Sequence, residues 1–238
     1  MTKKSLVTQS VSPSLSSLNP TERDFADRFF AQVDHDDMTQ IKPDHRIRII
    51  QEQVKLSNRK RHETGIHFTI HNKKDVSWAD RRTELNIVTD DMAFLVDSVA
   101  AYLTNKRLVI DLLLHPQLAV SYAANDRASF DPRGNGRQSH MHIVIRGALT
   151  SAQQKEISAD LLSVVRDVYD GTRDWQAMRL RAIEAKQYVA SAPSKMFGRE
   201  EISEYSEFLD YLYDNNFTFL GCRSYVFTAR GGQVNSSV

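Results

Sequence analysis

Only one cysteine, Cys222, occurs in the 238 residues. An internal disulfide is therefore excluded, and the lone thiol fits a reducing compartment, so the cytoplasm is the expected location. Glycine and proline are sparse, at nine and six residues, which rules out a collagen-like or low-complexity chain. Neither sign of charge dominates: 31 Lys and Arg face 30 Asp and Glu, a formal charge of +1. Such a balance gives no overall pull toward nucleic acid or an anionic membrane, and neither is expected as a partner. No stretch approaches the roughly 18 consecutive apolar residues of a membrane span. The opening MTKKSLVTQSVSPSLSSL has two lysines but no apolar block. It reads as a polar tail, expected to be disordered over residues 1–20, not as a secretory signal. Phosphate-binding loops are missing too. Asp131-Pro-Arg-Gly-Asn-Gly-Arg, within the polar segment Asn125 to Gln138, satisfies neither GxxxxGK[ST] nor GxGxxG. A hairpin-like connection is expected there, because Asn135-Gly136 favours a tight turn.

What is present is an ordinary globular pattern, and its most informative stretch runs from Thr83 to Val120. Leu85 to Thr89 reads as a strand. Asp90 or Asp91 is expected to cap the following helix, since a short carboxylate accepts first-turn amide hydrogens. Leu95, Val99 and Tyr102 share that helix's apolar face, widened by Val96 and Leu103. Leu108 to Leu114 is apolar except for Asp111, as expected of a strand covered on both sides. His115-Pro116 interrupts it, because proline has no amide hydrogen to donate, and Leu118 to Tyr122 extends beyond as an edge.

Upstream, a helical segment is expected over 21–64. Its first helix follows Pro20, capped by Thr21, with a stripe of Phe25, Phe29 and Phe30. A second follows Pro43, with Ile47, Ile50 and Val54 on its buried face and the basic run Arg59, Lys60, Arg61 at its solvated end. Gly65 stops it. Ile66 to His71 alternates as a half-buried strand, with His67 and His71 facing solvent. Downstream, Met141 to Arg146 is a further strand. A helix starting at Thr150-Ser151 carries Ile157, Leu161, Val164, Val165 and Val168, and Gly171 provides its left-handed stop. A helix from Asp174, a linker over Ala190 to Lys195, and a helix with Ile202, Tyr205, Phe208, Leu209 and Leu212 follow. Phe217 to Leu220 reads as an aromatic strand continuing toward Tyr225 to Phe227, with a turn at Gly231-Gly232. An aromatic strand at a chain end needs further polypeptide to cover it, so the chain is expected to be the front piece of a longer protein.

Chemically useful constellations are weak. His140 and His142 fall on one face of a strand, but a metal would need a third ligand such as His115 or Asp111, and packing at a surface or core edge is the expected role. Structural roles are likewise expected for His115 and Asp111. Cys222 lacks a neighbouring base and is expected to be a partly buried, inert thiol. No catalytic, metal-binding or cofactor-binding residue is assigned.

Several segments resemble, in order, the N-terminal region of the large bacterial NAD-specific glutamate dehydrogenases. Asp90-Asp91-Met92-Ala93-Phe94-Leu95-Val96-Asp97-Ser98-Val99 is similar to that family's DDMPFLVDSV run, with Ala93 replacing proline. His115-Pro116, Met141-His142-Ile143, Asp174-Trp175-Gln176-Ala177-Met178 and Phe217-Thr218-Phe219-Leu220-Gly221 match four further motifs. The resemblance covers Thr83 to Phe227. It implies an α+β fold: an ACT-like antiparallel sheet backed by helices over 66–172. The helical segment would precede it, a helical connector would span 173–216, and a further β unit would begin at 217–238. It also implies a parent enzyme that oxidises L-glutamate to 2-oxoglutarate with NAD, the catalytic domain lying elsewhere and no cofactor binding here. The implied partners are the rest of a longer dehydrogenase chain, further copies in a homo-oligomer, and an amino-acid effector. ACT domains often hold such an effector beside the first strand–helix turn, which places candidate contacts at Asp90, Asp91, Met92, Ala93 and Phe94. Phe94 stands where those domains often carry glycine. Two rivals remain, a free-standing amino-acid-binding module and an enzyme in its own right.

Overall fold

The computed structural model describes residues 17–60, 65–73, 81–191, 198–223, 225–230 and 233–237. Arg61, most of the 1–20 tail, most of the Ala190 to Lys195 linker and the Gly231-Gly232 turn lie outside these. The chain divides into two units, Met1–Arg166 and Asp167–Val238.

The first unit is built on one antiparallel sheet. Strand β1 (His67–Lys73) pairs with β2 (Arg82–Asp90), and β2 with the long β6 (Gly136–Arg146). The far side of β6 is shared by β3 (Ile110–Leu114) and β4 (Gln117–Tyr122), and β5 (Ala128–Phe130) pairs with β4. His115-Pro116 breaks the outer strand in two, as expected. The turn region is less loose than expected: β5 and the start of β6 fall inside the 125–138 segment, and Gly136 is a strand residue. Gly134 is the position where a side chain is excluded, because a Cβ there would collide with the Val120 carbonyl.

Helices cover both faces of this sheet. Odd-numbered residues of the two central strands, Leu85, Ile87, Met141, Ile143 and Ile145, pack with Leu95, Val99 and Leu103 of α4 (Leu95–Asn105) and with Ile157, Leu161 and Val165 of α5 (Ser151–Thr172). These are the helix faces that the sequence periodicity predicts. Tyr102 lies at the margin and donates to Asp160 Oδ2 at 2.9 Å. Burial and that carboxylate push its phenol up to about 12. The opposite sheet face is roofed by α1 (Pro20–Phe30) and α3 (Pro43–Ser57), with the short α2 (His35–Gln40) between them in sequence. Phe25, Phe29, Ile49 and Ile50 there meet Leu112, Leu114, Leu118 and Val144.

Some local expectations change. The cap of α1 is Asn19, not Thr21: its side chain accepts from the Glu22 amide at 2.9 Å, and Glu22 returns the bond to the Asn19 amide. Asn19→Ala is expected to cost about 1 kcal/mol, read by urea denaturation. The face of α3 is rotated from that predicted, with His45, Ile49, Ile50, Gln53 and Leu56 buried. Helix α5 continues through Gly171, which is helical and not a left-handed stop.

In the second unit α6 (Trp175–Ala190) packs on α7 (Arg199–Tyr211). Lys186 Nζ lies 2.6 Å from Asp210 Oδ2. Arg179 donates to the Tyr213 carbonyl and lies 4.3 Å from the centroid of the Tyr213 ring. A π turn over Leu212–Asn216 ends the helix, with Asn215 in the left-handed region. Phe217 to Leu220 is irregular, not a strand, and Phe217 and Leu220 are exposed. The paired strands are β7 (Val226–Arg230) and β8 (Gln233–Ser237). Cys222 is exposed, contrary to the expected partial burial.

Candidate functional site

The β2–α4 turn, Asp90 to Phe94, is held by bonds from several elements. Tyr122 on β4 donates its hydroxyl to Asp90 Oδ1 at 2.6 Å. The Gln117 side-chain amide donates to Asp91 Oδ1 at 2.9 Å, and the Asp91 amide donates to the Arg137 carbonyl at 3.1 Å. Gln117 is itself clamped to Gln32, just beyond α1: the Gln117 amide donates to Gln32 Oε1 at 3.0 Å, and Gln32 Nε2 donates to the Gln117 carbonyl at 2.9 Å. A continuous polar path thus joins the helical roof to the turn. Neither Asp90 nor Asp91 caps α4. The residue at the cap is Phe94, in the left-handed region at φ 63°, and its side chain makes no capping bond. A left-handed backbone normally favours glycine, so Phe94 retains the geometry of a glycine position while the residue is 46% exposed.

His115, after β3, places Nε2 2.5 Å from Ser139 Oγ. Burial lowers its pKa, opposed by Asp91 and Asp97 nearby. This serine–imidazole pair resembles part of a nucleophilic site, but Ser139 is fully buried and a substrate has no access to it. Asp111 is not paired with His115. It lies at a bulge in β3, where Arg82 Nε approaches Oδ2 at 2.7 Å and Arg146 pairs with Oδ1.

The larger polar assembly is one that sequence periodicity did not identify. His140 and His142 share one face, as predicted, but that face is roofed by α1 and α3 and both rings are fully buried. His140 Nδ1 lies 3.1 Å from Gln53 Oε1, and His142 Nδ1 lies 2.7 Å from Asn86 Oδ1. Gln53 Nε2 donates to Asn86 Oδ1 at 3.2 Å and to the Met141 carbonyl at 2.9 Å. Ser57 donates to Gln138 at 2.6 Å. His45 Nε2 lies 3.0 Å from Glu84 Oε1. Since the two amide oxygens can only accept, both strand imidazoles carry hydrogen on Nδ1. Their Nε2 atoms have no hydrogen-bond partner among the described residues. The His140 ring meets Phe25 edge-on at 5.3 Å, and His142 meets His45 edge-on at the same separation. Burial drives both pKa values down to about 3, so the rings are neutral at physiological pH. Burial, the largest influence, would raise the Glu84 carboxyl, but the His45 hydrogen bond and the electrostatic attraction of His142, His45 and Lys73 together outweigh it and hold the group below its ordinary range.

Chemically, this assembly is a polar lock between helix and sheet. No set of three His, Cys, Asp or Glu side chains able to hold a metal occurs among the described residues. Nor is any helix among them long and apolar enough to cross a membrane.

Comparison with known proteins gives a consistent result. Residues 25–161 match the family model described as the ACT1 domain of glutamate dehydrogenase. The chain is 25% identical over 204 residues to an NAD-specific glutamate dehydrogenase of Pseudomonas aeruginosa, covering 83% of this chain and 12% of that protein. It is 30% identical over 154 residues to a protein of the same name from Halomonas elongata, covering 62% of this chain and 10% of that one. The matched portion is thus about a tenth of the relatives' length.

Proposed function

The chain belongs to the glutamate dehydrogenase ACT1 domain family, and from that membership we propose that it is a non-catalytic regulatory and subunit-joining segment, N-terminal in an NAD-specific glutamate dehydrogenase. The parent would oxidise L-glutamate to 2-oxoglutarate and ammonium with NAD bound in another part of the polypeptide. The observation that carries this reading is the match over residues 25–161, which takes in both the helical roof and the ACT-like sheet. An amino-acid effector binds at Asp90 to Phe94 in this proposal. The carboxylates of Asp90 and Asp91 suit an ammonium group, and the uncapped start of α4 suits a carboxylate. Occupation of the turn would bear on Asp91 and, through Gln117 and Gln32, on the roof. The coupling would be linkage: an effector favouring one arrangement shifts the equilibrium of distant parts.

Two measurements test this. Calorimetry with a panel of amino acids is expected to give saturable heat for at least one, with affinity reduced roughly tenfold by Asp91→Asn, the loss of one charge-assisted contact. Heat from none of them would remove the effector site. Separately, the 238-residue chain supplied with glutamate and NAD is expected to form no NADH while a longer polypeptide containing it does. Turnover by the chain alone would overturn the non-catalytic assignment.

A further inference from the structure

Packing of α7 against α6 leaves an unusual face outward. The half-buried side of α7 carries Ile202, Ser206, Leu209 and Asp210, and Asp210 is the partner of Lys186 on α6. At 3.6 residues per turn, Glu200, Glu204, Phe208 and Tyr211 fall together on the other side, with Glu207 flanking them. All five are exposed, Phe208 by 58% and Tyr211 by 55%. Arg199 to Asn216 holds six carboxylates and a single cation, Arg199. Among the described residues only Asp210 of the six forms an ion pair. Glu201 closes the helix start and Glu207 accepts from Ser203 at 3.1 Å, so Glu200 and Glu204 in particular remain as unneutralised charge beside two aromatic rings.

Carboxylates and aromatic faces share one preference, for cations: the first by charge, the second by the negative ring face. We propose that the outer face of α7 docks a cationic amphipathic helix, with Lys or Arg side chains against Glu200, Glu204 and Glu207 and aliphatic side chains over Phe208 and Tyr211. Charge disfavours α6 and α7 of a second copy of the chain as this occupant. A copy would bring carboxylates against carboxylates through its own α7. On α6, Arg179 is engaged by the Tyr213 carbonyl, Lys186 by Asp210 and Arg181 by Glu184. The docking mode is a helix lying along an exposed helix face, read through i, i+4 and i+7 contacts. This proposal stands apart from the effector reading and survives its failure.

The test uses a labelled amphipathic peptide of leucine and lysine, its leucine–glutamate counterpart, and the whole chain, read by fluorescence anisotropy at low salt. The formal charge of +1 supplies no general attraction for a cationic peptide, so binding reports the local face. The leucine–lysine peptide is expected to bind and the glutamate version not to. Glu204→Lys and Phe208→Ser are each expected to weaken binding by roughly tenfold or more, with an unchanged thermal midpoint because both side chains are exposed. Added salt weakens the complex. Equal binding of the two peptides, or no effect of either variant, would overturn the proposal. So would self-association of the native chain that Phe208→Ser abolishes, since a second copy would then be the occupant.

Discussion

Acidification from pH 7 to pH 5 is expected to destabilise the first unit by about 4 kcal/mol, close to half the stability of a typical domain. The source is the pair of imidazoles beneath α3. Each titrates near the ordinary 6.5 when the chain is unfolded and near 3 when folded, because burial disfavours the cation. Between these values the unfolded chain binds a proton that the folded chain refuses. Stability is therefore complete above about 6.5 and falls as the pH drops toward 3, by about 1.4 kcal/mol per pH unit for each ring. His115 shifts in the same direction through burial. Glu84, held below its ordinary range, adds its own loss only at more acidic pH. Urea denaturation at pH 7, 6 and 5 measures the slope. The double substitution His140→Asn, His142→Asn retains an amide hydrogen near each Nδ1 position and removes the titration. It is expected to lower stability at pH 7 but to flatten the dependence, and an undiminished slope in that variant would show that the acid sensitivity arises elsewhere.

Replacing Gln53 with leucine is expected to cost about 3 kcal/mol at pH 7, although the two side chains are of similar size. Gln53 is wholly buried and serves His140, Asn86 and the Met141 carbonyl at once. Leucine removes all three bonds. Asn86 Oδ1 keeps His142 as its donor, so the penalty falls on His140 Nδ1 and the Met141 carbonyl, each left without that partner inside the roof. An unmet buried polar group costs about 1–3 kcal/mol, more than a made hydrogen bond returns. Gln51→Leu, the same exchange on the exposed side of α3, is the control and should change stability by less than about 0.5 kcal/mol. A similar small change for both would mean that the roof is held by its apolar contacts alone and that the polar lock contributes nothing.

Helices α4 and α5 were legible because each spaces its apolar residues at 3.6-residue intervals with polar residues opposite. Leu95, Val99 and Leu103, and Ile157, Leu161 and Val165, are buried as that pattern requires. Helix α3 was legible as a helix but not in its orientation. His45, Gln53 and Ser57 look like solvated residues, and only their partners on β2 and β6 make their burial favourable. The same holds for His140 and His142, whose alternation with Met141 and Ile143 suggests a wet outer face until the roof is placed over it. Asp90 and Asp91 have the composition of a helix cap, but strand β4 competes for them through Tyr122 and Gln117. Phe217 to Leu220 has strand composition without a strand beside it among the described residues, and β propensity without a ladder does not make a strand.

Local periodicity, the His115-Pro116 break and five ordered motifs were enough to establish the α+β class, the elements around β2 and β6, and the resemblance to the glutamate dehydrogenase region, because each is a property of neighbours along the chain. Which polar side chains are buried, and so which imidazoles stay neutral, which carboxylates are tied and which remain on an open helix face, was decided only by tertiary structure. Burying a polar group is tolerable when a partner arrives from far away in sequence, and Gln53 with His140, or Gln32 with Gln117, meets that partner only after the layers close.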